Sequence, residues 1–464
     1  MIFFNDDSLA AKDRESDFAN AKALLSELIR VSELAAVLEE EGCLHASRVY
    51  TQAPTLWLLV LQRLGGGLSL QAAVEELITH HTDILPRNRR VEEGTLSENN
   101  SAYNQARRQL PLSVVEKFSH CLCDYLARHS EPAWFDRRVF IIDGTTVTLP
   151  PTAELKKAFP PATNQRGESV WPVAMLMVAS ELSTGCVLVP QIDPMYGENN
   201  SSEARQAVAV IQRLPADALV LADIAFGIFS VAYHCDQSQR KFVFRLATHR
   251  FNALRRKATL VHEGSGVRTW QLTWQPSVKD RLTNKDFPLD AAVNVWLHEI
   301  ELENGTSLYL VSNVEAGARS AASLYLKRYD VEFDIRDLKV TMDTENIRAK
   351  HLDTVFKELL GSIIAYNLVA QFRRQAAKLA RVEPRRLSFT GVWTVFRHRL
   401  LYQRFESLQD WRLAYLHALA GAAKHRHPNR SRPRNYPRVA HPRRPKTTKF
   451  QKSLRKKKPP DPPD

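Results

Sequence analysis

The chain has 464 residues, of which 44% are hydrophobic and 25% charged, so it can bury a sizeable core in two or three domains and is not a disordered polymer. No apolar run approaches the roughly 18 residues that a membrane span needs. The net charge of +13 is uneven: residues 424–464 hold 15 Lys/Arg against 2 Asp/Glu, which leaves the other 423 residues with no net charge. Any basic surface on the body must therefore come from local clustering.

The N-terminus, MIFFNDDSLAAKDRES, is acidic and lacks the layout of a signal peptide. The five cysteines (Cys43, Cys121, Cys123, Cys186, Cys235) are odd in number and show no Cys-x-x-Cys spacing. Buried free thiols in a reducing cytoplasm are the expectation. Residues 16–130 read as helical. Residues 18–41 have helical apolar spacing, and 55–64, TLWLLVLQRL, is apolar almost all round, as in a buried helix. Gly65–Gly67 ends that helix, and Ser69 can cap the next, LQAAVEELI. A polar break, EEGTLSENNS, precedes AYNQARRQL, which shows Tyr103, Gln105, Arg107 and Arg108 close behind it. Such helix–turn–helix-like pairs suit a DNA-reading module or a plain packing module with solvated arginines.

From Arg138 the texture changes. Residues 139–142, VFII, form a run expected of a central strand. Asp143-Gly144 follows, then 145–149, TTVTL, as a second strand. Strands are expected at 173–179 and 186–192, a helix at 201–214, a buried strand at 218–222 ending at Asp223, a helix from Gly227 and a strand at 241–246. Strands in succession, then alternating helix and strand, resemble a ribonuclease-H-like α/β core. Residues 248–306 look like an insertion: a basic segment, HRFNALRRK, then strands around 269–273 and 293–300. The strand 307–311, SLYLV, leads into a helix over 323–339, and 349–424 is helical again. The tail holds 9 of the 24 prolines beside its basic residues and reads as disordered.

The chemistry gathers around 323–339, SLYLKRYDVEFDIRDLK. At about 100° per residue, with Tyr325 at zero, Arg328, Glu332, Arg336 and Lys339 fall at about 300°, 340°, 20° and 320°. Asp330, Asp334 and Asp337 fall well off that stripe, at about 140°, 180° and 120°. A cationic stripe with one carboxylate suits a phosphodiester held against a metal ion. It also suits a solvated face with i,i+4 charge pairs. Asp143 and Asp223 each follow a strongly apolar strand, where an α/β protein places ligands. Singly, Asp143-Gly144 is also a hairpin turn signal and Asp223 a common strand terminator. Together with Glu332 they make a set of hard oxygen donors from separate elements, as a divalent metal requires. No His-x-x-x-His pair competes as a zinc site.

Tyr325-x-x-Arg328-x-x-x-Glu332-x-x-x-x-x-x-Lys339 matches the signature of the DDE transposases of bacterial insertion sequences in the insertion-sequence-four family, which the chain resembles over roughly residues 20–420. FIIDGTTVTLP looks like the block of the first catalytic aspartate and VLADIAFG like the second, with Ile224 where relatives often carry arginine and Phe226 retained. The resemblance implies Asp143, Asp223 and Glu332 as catalytic residues and ligands of Mg²⁺, with Mn²⁺ able to substitute. It implies phosphate contacts from Tyr325, Arg328 and Lys339, with Arg336 on the same stripe. It implies that N-terminal helices bearing Tyr103, Arg107 and Arg108 bind the element ends. In this family an aromatic in the strand before the signature helix stacks on a flipped base, a role that would fall to Tyr309, with Trp296 the nearest tryptophan upstream.

The expected organisation is α/β: a helical end-binding domain (1–130), a ribonuclease-H-like core in two parts (131–247 and 307–348), a β-rich insertion (248–306), a helical region (349–423) and the basic tail (424–464). The activity implied is cut-and-paste transposition on double-stranded DNA, at inverted-repeat ends and target, by a homodimer on two ends in the bacterial cytoplasm at the nucleoid. A structure-selective nuclease on the same core, or a non-catalytic regulator derived from a transposase, are the other readings.

Overall fold

The computed structural model describes residues 49–428 apart from residues 166, 304, 404 and 406. The helix expected over 18–41, Cys43 and nearly all of the basic tail lie outside the described residues. Residues up to Arg426 form one compact unit; a second begins at His427. The N-terminal part is helical: α1 (Gln52–Leu64), α2 (Leu70–His80), α3 (Ser101–Gln109) and α4 (Leu112–Arg128). Helix α1 is buried along nearly its whole length, as its all-round apolar sequence requires. Ser69 caps α2, its hydroxyl accepting from the Ala72 N–H. Gly67, at φ 78°, makes the turn between them beside Asp343, where a Cβ would collide with the carboxylate.

One ten-stranded mixed sheet organises the rest. Its strands are β1 (Arg138–Thr148), β2 (Pro161–Asn164), β3 (Gly167–Glu181), β4 (Gln191–Pro194), β5 (Ala218–Ala222), β6 (Lys241–Arg245), β7 (Thr259–Gly264), β8 (Val267–Trp274), β9 (Val293–Glu301) and β10 (Ser307–Ser312). They lie in the order β2-β3-β1-β5-β6-β10-β9-β8-β7, with β4 paired to β3. The central β1, β5 and β6 run parallel, and the remaining pairs are antiparallel. Strands β7 to β9, from residues 248–306, extend this same sheet beyond β10.

Two strand expectations are corrected. Asp143-Gly144 makes no turn: β1 continues through it, because β3 is long enough to pair with it from Phe140↔Glu181 to Thr148↔Val173. Pairing with β3 is unbroken on both sides of the dipeptide, so the chain runs on without a reversal. The strand expected over 186–192 is confined to Gln191–Pro194, with an isolated bridge at Val187. The Val187 N–H and carbonyl are instead taken by the Asn367 side chain, both at 2.8 Å.

The remaining helices are α5 (Ala153–Ala158), α6 (Glu203–Arg213), α7 (Phe229–Gln237), α8 (Thr248–Arg255), α9 (Val278–Thr283), α10 (Ala318–Leu326), α11 (Asp330–Arg336), α12 (Leu352–Ala380), α13 (Phe389–Phe396) and α14 (Leu408–Ala422). Strand alternation sends Phe140, Ile142, Val220, Ala222, Phe242 and Phe244 into one core, with α6, α7 and the 29-residue α12. Val139, Ile141, Leu219, Leu221 and Val243 point to the other face, under α10 and α11. No helix among the described residues is long and apolar enough to cross a membrane.

Candidate active site

Parallel pairing places the two aspartates. Ile141 pairs with Leu221 across β1 and β5. Continuing that register by two residues sets Asp143 beside Asp223, both on the face of Ile141 and Leu221. Between β5 and β6, Ala222 pairs with Phe244, so the next residues along are Asp223 and Arg245. Asp143 within β1, Asp223 just past the end of β5 and Arg245 at the end of β6 thus come from three neighbouring parallel strands, toward the face that α10 and α11 cover. Asp143 Oδ1 accepts from the Gly144 N–H at 2.9 Å, and Asp223 Oδ1 from the Ala225 N–H at 2.8 Å. Each keeps a second oxygen free of backbone bonds.

The signature segment supplies the rest. Glu332 on α11 takes Arg328 at 2.8 Å, and Arg328 lies 3.8 Å from Asp143 Oδ2. The Asp143 carboxyl is pushed up to about 6, chiefly by burial and then by the charge of Asp223; Gly144 and Arg328 oppose this, and Glu332 adds to it. The three carboxylates therefore share one field, with Arg328 between two of them. Among the described residues no three metal-ligating side chains converge closely enough to hold an ion as they stand. The donors nonetheless suit a hard divalent cation: all are carboxylate oxygens, and the repulsion that raises Asp143 is what such a cation cancels.

Tyr325 is buried, which pushes its hydroxyl pKa up, and the charges of Arg328 and Arg245 oppose that rise. Arg245 escaped the sequence reading; the signal was there, in a cation closing the apolar strand KFVFR as Asp143 and Asp223 follow the apolar runs VFII and ALVLA. The uniform stripe is also corrected. A 3₁₀ turn at Lys327–Tyr329 and a π turn at Asp337–Thr341 interrupt the helix and change its phase. Tyr325, Arg328 and Glu332 converge on the aspartates. Arg336 is exposed and lies over the Phe333 ring, and Lys339 pairs with Glu345 at 3.1 Å. The off-stripe acids face the body. Asp334 is fully buried and accepts from Ser180 Oγ at 2.5 Å and Arg385 at 2.6 Å, with Arg373 at 3.6 Å. Arg373 also lies 3.8 Å from Asp337, and Arg385 lies 3.7 Å from Asp330.

Two N-terminal expectations fail. Tyr103 is fully buried and donates to Gln62 Oε1 at 2.8 Å. Arg107 is buried in an ion pair with Glu358 of α12 at 2.9 Å, beside Arg63 at 3.1 Å. Residues 103, 106, 107 and 110 are the inward stripe of α3, so these polar tips anchor the helix and leave Arg108 and Gln105 outside. Tyr309 lies on the sheet face opposite the carboxylates and stacks on Phe251 at 4.3 Å between ring centres. Trp296, at the next residue parity on β9, points to the carboxylate face. Exposed Ile224 directly follows Asp223.

Comparison with known proteins points the same way. A family described as "Transposase DDE domain" matches residues 134–368. A curated relative from Escherichia coli (strain K12), "Transposase InsG for insertion sequence element IS4", is 25% identical over 306 residues, 62% of this chain and 65% of that protein. The chain thus spans slightly less than two thirds of that relative. A cryo-electron microscopy structure of a piggyBac transposase synaptic complex with hairpin DNA aligns over 91% of this chain and 79% of its own, at 10% identity and a TM-score of 0.38, which is too low to carry an argument.

Proposed function

The chain belongs to the transposase DDE-domain family, and from that premise we propose that it is a cut-and-paste DNA transposase of the insertion-sequence-four group. It binds the inverted-repeat ends of its element as a homodimer, hydrolyses the phosphodiester there to free a 3′ hydroxyl, and drives that hydroxyl into target DNA by in-line attack. The observation that carries this reading is the register that sets Asp143 beside Asp223, with Glu332 brought to them through Arg328. Asp143, Asp223 and Glu332 would hold a divalent cation, Mg²⁺ with Mn²⁺ as substitute, and such a cation would supply positive charge for the reacting phosphate.

The chain's own groups do the positioning. Arg328 exchanges Glu332 for a phosphate oxygen once the carboxylates are neutralised. Tyr325 acts through Arg245, which it steadies beside Asp223. Arg336 and Lys339 meet phosphates further along the same strand, and Arg108 contributes at the element end. The order of β3, β1, β5 and β6 supports a ribonuclease-H-like core over 131–247 and 307–348, with 248–306 inserted.

The test is nicking of a supercoiled plasmid that carries the gene's own flanking DNA, with and without Mg²⁺, and with DNase footprinting. Mg²⁺-dependent nicks at a footprinted repeat are expected. A protein that footprints the repeat but never nicks it is a regulator, and the enzymatic reading falls.

A further inference from the structure

With no net charge on the body outside 424–464, a basic surface has to be a local concentration, and one lies on the side of the sheet covered by α6, α7 and α8, away from the face that bears the carboxylates. A cleft of about 930 Å³ opens between the start of α6, α7, α8, the C-terminal end of β8 and α9. Arg205, Arg250, Lys257, Lys279 and Lys285 line it, against Asp280 and Asp286. Asp280 is occupied as a helix cap, accepting from the Ser277 N–H at 2.8 Å and hydroxyl at 2.7 Å. Arg250 is held in place by donating to the Gly227 carbonyl at 2.6 Å. Arg205, Lys257, Lys279 and Lys285 are exposed and join no ion pair among the described residues. Cations gathered in one concavity raise each other's energy, and an anion seated among them relieves it.

The cleft reaches the edge of the sheet where β5 ends. Ser202, Ala204 and Arg205 line it, and Glu203 between them packs on Gly144, where an added Cβ would lie 2.9 Å from its carboxylate oxygen. Ile228, at the end of the loop that leaves Asp223, lines it from the other strand. We propose that this cleft seats a run of DNA backbone phosphates away from the carboxylate face, a track that holds a duplex outside the reacting site; the inference rests on the transposase reading above. Lysine and arginine hold phosphate without reading sequence, so the track suits any duplex. The phosphates can belong to the element end or to target DNA, and the test separates them.

Full-length wild type is compared with the Arg205→Ala/Lys257→Ala/Lys279→Ala/Lys285→Ala variant for binding to an end-bearing duplex and to an unrelated duplex, over a range of salt. The slope of log affinity against log salt should become shallower by about 0.9 for each phosphate no longer neutralised, or roughly 2–4 in all. Lys257→Arg/Lys279→Arg/Lys285→Arg should keep the wild-type slope. A loss on the end-bearing duplex alone assigns the cleft to the element end; a loss on both, or on the unrelated duplex alone, assigns it to target DNA. Unchanged slopes on both overturn the proposal. Independently of any variant, duplex should protect Lys257, Lys279 and Lys285 of wild type from acetylation, and equal labelling with and without DNA overturns it too. If wild type cleaves ends while the variant keeps its slope, the cleft assignment alone fails. If wild type neither binds nor nicks DNA, the transposase reading fails and takes the cleft with it.

Discussion

The two sides of the signature segment carry acids and arginines in similar numbers and use them in opposite ways. On the inner side Asp334 is fully buried and answered by Arg385, Arg373 and Ser180. On the sheet side Asp143 has a neighbouring carboxylate in Asp223 and one arginine, at 3.8 Å, that is shared with Glu332. A raised carboxyl does not by itself tell the two apart. Asp337 on the inner side is also pushed up to about 6 by burial, but the charges that follow in weight are Arg373 and Arg336, which oppose the rise. At Asp143 the charge next in weight is Asp223, which adds to it. The inner cluster is closed and holds the helix; the outer one is short of positive charge.

Removing a carboxylate from the open cluster should have the largest effect. Asp143→Ala, Asp223→Ala and Glu332→Ala should each lower end cleavage by well over about a hundredfold in a plasmid assay, with end binding nearly retained. A variant that cleaves within about tenfold of wild type removes that residue from the site. In the closed cluster the loss should fall on stability instead. Asp334→Ala strands two buried arginines and should cost about 3–5 kcal/mol in urea unfolding, whereas Asp143→Ala should cost little or stabilise. Equal losses would erase the distinction.

Titration sharpens it further. Asp143 and Asp337 both have folded values of about 6, above the ordinary 3.8. The folded state therefore binds more protons between these values, and stability falls as pH rises from about 4 to about 6. In chelator, Asp143→Asn and Asp337→Asn should each reduce that fall by on the order of 1–2 kcal/mol. Added Mg²⁺ should raise the Tm of wild type and of Asp337→Asn but not of Asp143→Asn. A Tm gain in Asp143→Asn would show that the cation binds elsewhere.

The tail gives a smaller effect. Deleting 424–464 removes +13 of charge. It should weaken binding to all duplexes alike and flatten the salt dependence by about 0.9 for each phosphate the tail had neutralised; an unchanged slope would show that the tail does not touch DNA. The smallest expected effect separates two aromatics. Tyr309 already has Phe251 on one ring face, so Tyr309→Ala should change a 2-aminopurine probe at the element end less than Trp296→Ala does. The reverse order would return the stacking role to Tyr309.

Much of this protein was legible from local pattern. The apolar runs at 139–142, 218–222 and 241–245 had to be central strands, because only a strand covered on both faces hides them. The spacing of Tyr325, Arg328 and Glu332 carried the family. What local pattern could not decide was pairing. Asp143-Gly144 is a turn in isolation and a mid-strand step here, because β3 is long enough to pair on both sides of it. Arg107 beside a polar break looks like a DNA-reading residue until Glu358, 251 positions away, buries it. Arg245 becomes a site residue only when β6 takes the place next to β5. Side-chain type and period are properties of a segment, but burial and charge neutralisation depend on which distant segment packs against it, and only the tertiary structure decides that.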